Sequence, residues 1–250
     1  MDSAGTAPTE VSQGPLLSQP QRIINTFFDP VKTFTDLRRG NAWWMAFLFS
    51  AIISYVFIFA VASKVGWEQV TENQMKLNPK QAERMEQMPP ADRARAMEMG
   101  VKFTKYISFA FPVIALLVTA VFAALFMAIF NFGFGAQVGF GTSFAINIYV
   151  GLVGSVKALI TAITLFAGMD PENFTFDNPI ASNLSYFVDV NAHPALHRFA
   201  YSMDIFTIWT VVLLGIGYSC VSKVKRGTAI GVVAGLWLLW VLGATALKAF

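Results

Sequence analysis

In 250 residues the chain has one cysteine, Cys220, and two histidines, His193 and His197. A single thiol inside an apolar run permits no intramolecular disulfide and no thiolate-based metal site. Charge is scarce too: 13% of residues are Asp, Glu, Lys or Arg, against roughly a quarter in a soluble domain. The charges are also bunched, so that Gly40 to Ser63 and Tyr106 to Val156 carry none. No carboxylate pair falls within these runs, and no Ser-His-Asp or Cys-His set converges on a common segment, so neither an enzyme site nor a cofactor is expected. The net charge of +3 does not imply a nucleic-acid partner. The cations sit in loops and beside apolar runs, without a basic stripe interleaved with exposed aromatics.

Apolar residues make up 55% of the chain, with 24 phenylalanines. That exceeds what one soluble core can bury, and its distribution is that of an all-α, polytopic membrane helical bundle. A hydrocarbon layer of ~30 Å needs about 20 apolar helical residues. Five spans satisfy this, over about 42–63, 107–130, 142–167, 204–222 and 227–247. The glycines from Gly133 to Gly141 break the second from the third, and they show no dinucleotide-binding fingerprint. Lys223-Val224-Lys225-Arg226 is short enough to force the last two spans into an antiparallel hairpin. Trp237 and Trp240 fall inside the fifth span, where they are expected to face the bundle.

Residues 1–21, rich in Ser, Thr, Pro and Gln and without an apolar core, are expected to be a disordered tail rather than a cleavable signal. Residues 22–250 form the membrane domain. Asp29-Pro30 starts a short helix whose Val31, Phe34 and Leu37 share a face; with Ile23, Ile24, Phe27 and Phe28 it reads as an interfacial amphipathic element. In the first loop, Asn78-Pro79-Lys80-Gln81 reads as a helix start. Pro89-Pro90 ends that helix, and a further one over Ala91 to Lys105 feeds the second span. Orientation follows the cations near span ends. Arg22, Lys32, Arg38 and Arg39, together with the last hairpin turn, place the N-terminus in the cytoplasm. Asp170, Glu172, Asp177 and Asp189 lie on the outer side. The loop from Lys64 to Lys105, with eight cations and six anions, opposes this assignment, but long loops weigh less in insertion.

Lys157 is the most informative residue. A lysine inside a span costs roughly 2.5–3.5 kcal/mol on insertion scales. It therefore pairs with Asp204 or backbone carbonyls, snorkels, or forms a candidate intramembrane polar site with Asn147 and Asp204 that takes a substrate or lipid headgroup. Ser143 and Ser155 are polar neighbours in the same span. Gly227, Gly231, Gly235 and Gly243 form a small-residue face suited to close helix packing, within the chain or against another subunit. His193 and His197 have a spacing that suits a metal on a helix, with Asp189 upstream. Pro194 occupies the place of a metalloprotease glutamate, so solvated loop histidines are the simpler reading. Met75, Met85, Met88, Met97 and Met99 are read as packing residues rather than soft-metal ligands.

The run Ser202-Met203-Asp204-Ile205-Phe206-Thr207-Ile208-Trp209, then Leu213-Leu214-Gly215-Ile216-Gly217-Tyr218 and Lys225-Arg226-Gly227-Thr228-Ala229, resembles the bacterial branch of the YIP family, the Ypt/Rab-interacting-protein-like domains. Phe28-Asp29-Pro30 with Phe34 is similar to that family too, and the resemblance runs from about Ile23 to Leu247. It implies five spans with a cytoplasmic N-terminus in the bacterial inner membrane, and it carries over no catalytic residues. Eukaryotic members act in vesicle budding and bind Rab-type GTPases through a longer N-terminal region. Here that region is about 40 residues and lacks their motifs, which argues against a GTPase partner. Membrane lipids, other membrane proteins or a second copy of the chain are the partners expected of a non-enzymatic scaffold. A small transporter or channel with a midplane site around Lys157 is the alternative.

Overall fold

A computed structural model of the chain describes residues 15–77, 79–188 and 193–249. Apart from one isolated β-bridge, its regular structure among these residues is helical. Helix α1 (Gln19–Phe28) opens with a capping box, in which the Ser18 hydroxyl accepts from the Gln21 amide and the Gln21 side chain accepts from the Ser18 amide. Its start lies within the stretch expected as a tail; residues 1–14 lie outside the described residues. Asp29 caps α2 (Pro30–Asp36), accepting from the Lys32 amide at 3.2 Å. The pair is docked on the bundle rather than lying free on its surface. Phe34 and Leu37 are fully buried, whereas Ile24 and Phe28 remain exposed.

The apolar runs form α3 (Trp44–Lys64), the central part of α6 (Pro90–Phe134), α7 (Phe140–Phe166), α9 (Ile205–Val221) and α10 (Arg226–Ala249), with α4 (Trp67–Lys76), α5 (Pro79–Glu86) and α8 (Pro194–Ser202) between them. Among the described residues four helices are long and apolar enough to cross a membrane; α9, with 17 residues, is shorter. The loop helix expected before the second span and the span itself are one helix of 45 residues, ~68 Å at about 1.5 Å per residue. No Gly or Pro interrupts the register between Lys102 and Phe111, so the helix propagates. Pro112 is carried inside it, where the Tyr55 hydroxyl donates to the nearby Phe109 carbonyl at 3.3 Å. Asn78 lies outside the described residues.

Half of the most apolar window of α7 is buried, against about a fifth in α3, α6 and α10. It is the central post: α3, α6 and α9 all pack on it, α10 packs on α9 and α8, and α2 packs on α9. The exposed Leu, Ile, Val and Phe side chains of α3, α6 and α10 are the surface expected where lipid is the solvent. The glycine-rich connection is the interhelical turn read from the sequence. Gly135 adopts φ 64° at the α6 C-terminus, and the Asn131 side chain closes the turn on both the amide and the carbonyl of Val138 at 2.9 and 3.0 Å.

The final hairpin forms, but the close approach within it is made by a different glycine. A Cβ on Gly215 of α9 would lie 2.5 Å from Ile230 Cα, and one on Gly217 would lie 2.7 Å from an Ile146 methyl. Gly227, Gly231, Gly235 and Gly243 face outward, with nothing of the described chain within 4 Å of a Cβ at any of them. Ala229, Val233 and Val241 form the buried side of α10. Trp237 packs on the core as expected, but Trp240 is 75% exposed.

Candidate intramembrane site

The fourth apolar helix begins at Asp204, and its carboxylate is fully engaged. Oδ1 accepts from the amides of Phe206 and Thr207 at 2.9 and 3.2 Å, capping α9. Oδ2 accepts from Lys157 Nζ at 2.9 Å and from the Ser182 hydroxyl. The Ile205 amide donates to the Ser182 carbonyl at 3.1 Å, so the segment before α8 returns to the α9 N-terminus. Lys157 also lies over the Phe206 ring, 5.8 Å from its centre. The side chains of Lys157 and Asp204 are 22% and 6% exposed. In such a place two charges persist because each neutralises the other and the carboxylate's lone pairs are satisfied.

The depth of this pair follows from its neighbours. Helices α3 and α7 run side by side in the same direction: Trp43 packs on Phe144 with 5.0 Å between ring centres, and Lys64 lies 4.9 Å over Phe166. With Trp43 and Lys64 as the two edges, Lys157 lies ~20 Å along α7 from the first and ~14 Å from the second. The ion pair therefore lies between the two ends of the α3–α7 pair. Helix α9 starts at that depth, and non-helical backbone around Ser182 and Asn183 accompanies it. Such backbone is tolerated in a bilayer only where protein or a cavity satisfies it. Asn183 meets this requirement by pairing antiparallel with Asp204 and bonding to Asn178 and Ser185.

Asn147 does not join the pair. Its amide donates to the Ser143 carbonyl at 2.9 Å and to the Tyr218 hydroxyl at 3.0 Å. Tyr218 also bonds the Ser143 hydroxyl, which reaches the Ala123 carbonyl at 2.6 Å. Phe130 stacks on the Tyr218 ring, 4.6 Å away and 7° from parallel. This knot ties α6, α7 and α9 together ~15 Å along α7 from Lys157. Both groups nevertheless touch one cavity of about 660 Å³ between α3, α6 and α7. Gln74 of α4 and the segment bearing Asp177 and Tyr201 close it at the Lys157 end. Burial pushes the Tyr201 phenol above its ordinary range, Asp177 adds to the shift and Arg198 opposes it, so the hydroxyl stays a neutral donor to the Asp177 carbonyl.

A second buried ion pair was not anticipated. Arg22 reaches Asp36 through Nη2 at 2.7 Å and Nε at 2.8 Å, with 3% and 7% of the side chains exposed. Asp36 also accepts from the Leu17 amide at 3.1 Å, and Arg22 and Tyr149 both donate to the Ala42 carbonyl. The cluster fastens α1 and α2 to α7 beneath the start of α3. In the sequence Arg22 is one more flanking cation; only the α1–α2 fold brings it to Asp36.

His193 precedes α8 at its N-cap position without a side-chain capping bond, and His197 lies on that helix, not in a loop. Asp189 lies outside the described residues, and among those described no group of three or more His, Cys, Asp or Glu could hold a metal. The five loop methionines are spread over α4, α5 with its C-terminal flank, and α6.

Apolar helices around a central post, with the buried charges of Arg22 and Asp36 and of Lys157 and Asp204 held as pairs, define a polytopic helical membrane protein. The Yip1 domain matches residues 24–247, and the chain belongs to that family. No curated protein and no solved structure matches it.

Proposed function

We propose that this Yip1-family protein is a non-enzymatic organiser or scaffold of the bacterial inner membrane. It crosses five times, with α9 as the fourth crossing and the N-terminus in the cytoplasm, and acts through contacts with lipid and with other membrane proteins or a second copy of itself. The observation that carries this reading is the outward row of Gly227, Gly231, Gly235 and Gly243 on α10. Among the described residues nothing meets the row, yet small residues at this spacing let a second helix approach closely. The polar side chains around Lys157, Asn147 and Arg22 support the same reading, because they are engaged with their neighbours in structural knots. The test is crosslinking in native membranes from cysteines placed along that row. Adducts with a second copy or with a specific neighbour are expected, and their complete absence would sink the scaffold.

A second reading is favoured by one specific feature. Lys157 lies at depth beside a cavity and a crossing that is broken at Asp204, an arrangement that recurs in transport paths. Flux across reconstituted vesicles that is lost in Lys157→Ala would support it. Equal leakage from protein-containing and empty vesicles would end it.

A further inference from the structure

We propose that the cavity between α3, α6 and α7 is a binding site for a single phospholipid, with an acyl chain along Phe111 and Ile148 and the phosphate and ester oxygens at Lys157. The proposal rests on the lipid-contact reading above and adds a site and a ligand class to it. The cavity of about 660 Å³ lies within the range of ~300–1,000 Å³ typical of ligand pockets. Packed interiors hold few voids larger than a water.

Its room comes from the back wall. Gly151 and Gly154 of α7 both line it, and a Cβ at either would meet nothing within 4 Å. Phe47, Phe111 and Ile148 belong to its apolar lining, and Gln74, Asn147, Lys157 and Tyr201 to its polar lining. An ammonium has three donors, and among the described residues Asp204 is the one acceptor bonded to Lys157 Nζ. The remaining donors are open to the acceptor oxygens of a headgroup. An apolar wall with a cation beside it suits an amphiphile, and the amphiphile around a membrane protein is lipid.

The test uses the full chain in phosphatidylcholine vesicles doped with either phosphatidylcholine or diacylglycerol, each carrying a diazirine on its acyl chain. After photolysis, labelled peptides are mapped by mass spectrometry. Phosphatidylcholine should label the peptides containing Phe111 and Ile148. Gly154→Leu, which fills the cavity from an open position, should cut that label about ten-fold and leave the label on the outward face of α6 at Leu125 unchanged. Gly151→Leu serves as a second filling variant, and a melting curve of each establishes that it is folded. Lys157→Met should lower cavity labelling by phosphatidylcholine but not by diacylglycerol. Cavity labelling that survives both glycine variants, or that responds to Lys157→Met equally for the two lipids, overturns the proposal. Crosslinking along α10 in the same vesicles reads the scaffold separately, so either idea can fail alone.

Discussion

Lys157 on α7 and Asp204 at the start of α9 form an ion pair 2.9 Å long, and the two ends of the pair are supported unequally. Asp204 holds two α9 amides and the Ser182 hydroxyl besides the lysine. Lys157 has Asp204 and the face of Phe206.

The two truncations should therefore differ. Asp204→Ala removes a helix cap and strands an ammonium, and a loss of about 3–5 kcal/mol is expected. Lys157→Met leaves the carboxylate with its amide and hydroxyl donors and should cost clearly less. Denaturant unfolding in mild detergent measures both, and equal losses would contradict the inequality.

The N-terminal helices should depend on Arg22. Arg22→Ala leaves Asp36 buried without its partner, at a cost of about 3–5 kcal/mol where the fold stays intact. Release of α1 and α2 is the cheaper response, so limited proteolysis should show new cleavage between Phe28 and Gly40. An unchanged digest would mean that Phe34 and Leu37 alone hold the segment.

Glycines that look alike in the sequence should behave oppositely. Gly215→Ala drives a methyl into the Ile230 backbone, and disruption of the α9–α10 hairpin is expected. Gly231→Ala faces open space and should raise stability by up to ~1 kcal/mol through helix propensity. Melting temperatures of the two variants, moving in opposite directions, check this.

Tyr218→Phe keeps the stack on Phe130 and removes one hydroxyl from the Ser143–Asn147 knot. Hydrogen bonds between membrane helices average ~0.6 kcal/mol, so a loss of about 1 kcal/mol is expected. Unfolding measured beside Ser143→Ala and the double variant should show the two effects to be coupled.

Several of the residues that carry the family resemblance hold the bundle together. Asp204 caps and pairs, Trp209 packs on Phe27, Gly215 and Gly217 admit their neighbours, and Tyr218 ties three helices. Their residue types were visible in the sequence, but their partners were not. Asn147 and Lys157 were read as one site; they occupy separate knots because ~15 Å of helix lies between them.

Helix existence, caps and turns were legible because they depend on neighbours in the chain. Apolar runs of sufficient length had to become membrane helices, Asp29-Pro30 had to begin one, and the Gly133–Gly141 cluster had to end another. Which face of each helix is buried was not legible. Lipid is as apolar as a helix interface, so hydrophobicity cannot separate the side that meets protein from the side that meets the bilayer. Rotation and offset of the packed helices decided the rest. They turned the α10 glycines outward, brought Arg22 to Asp36, and started α9 beside Lys157.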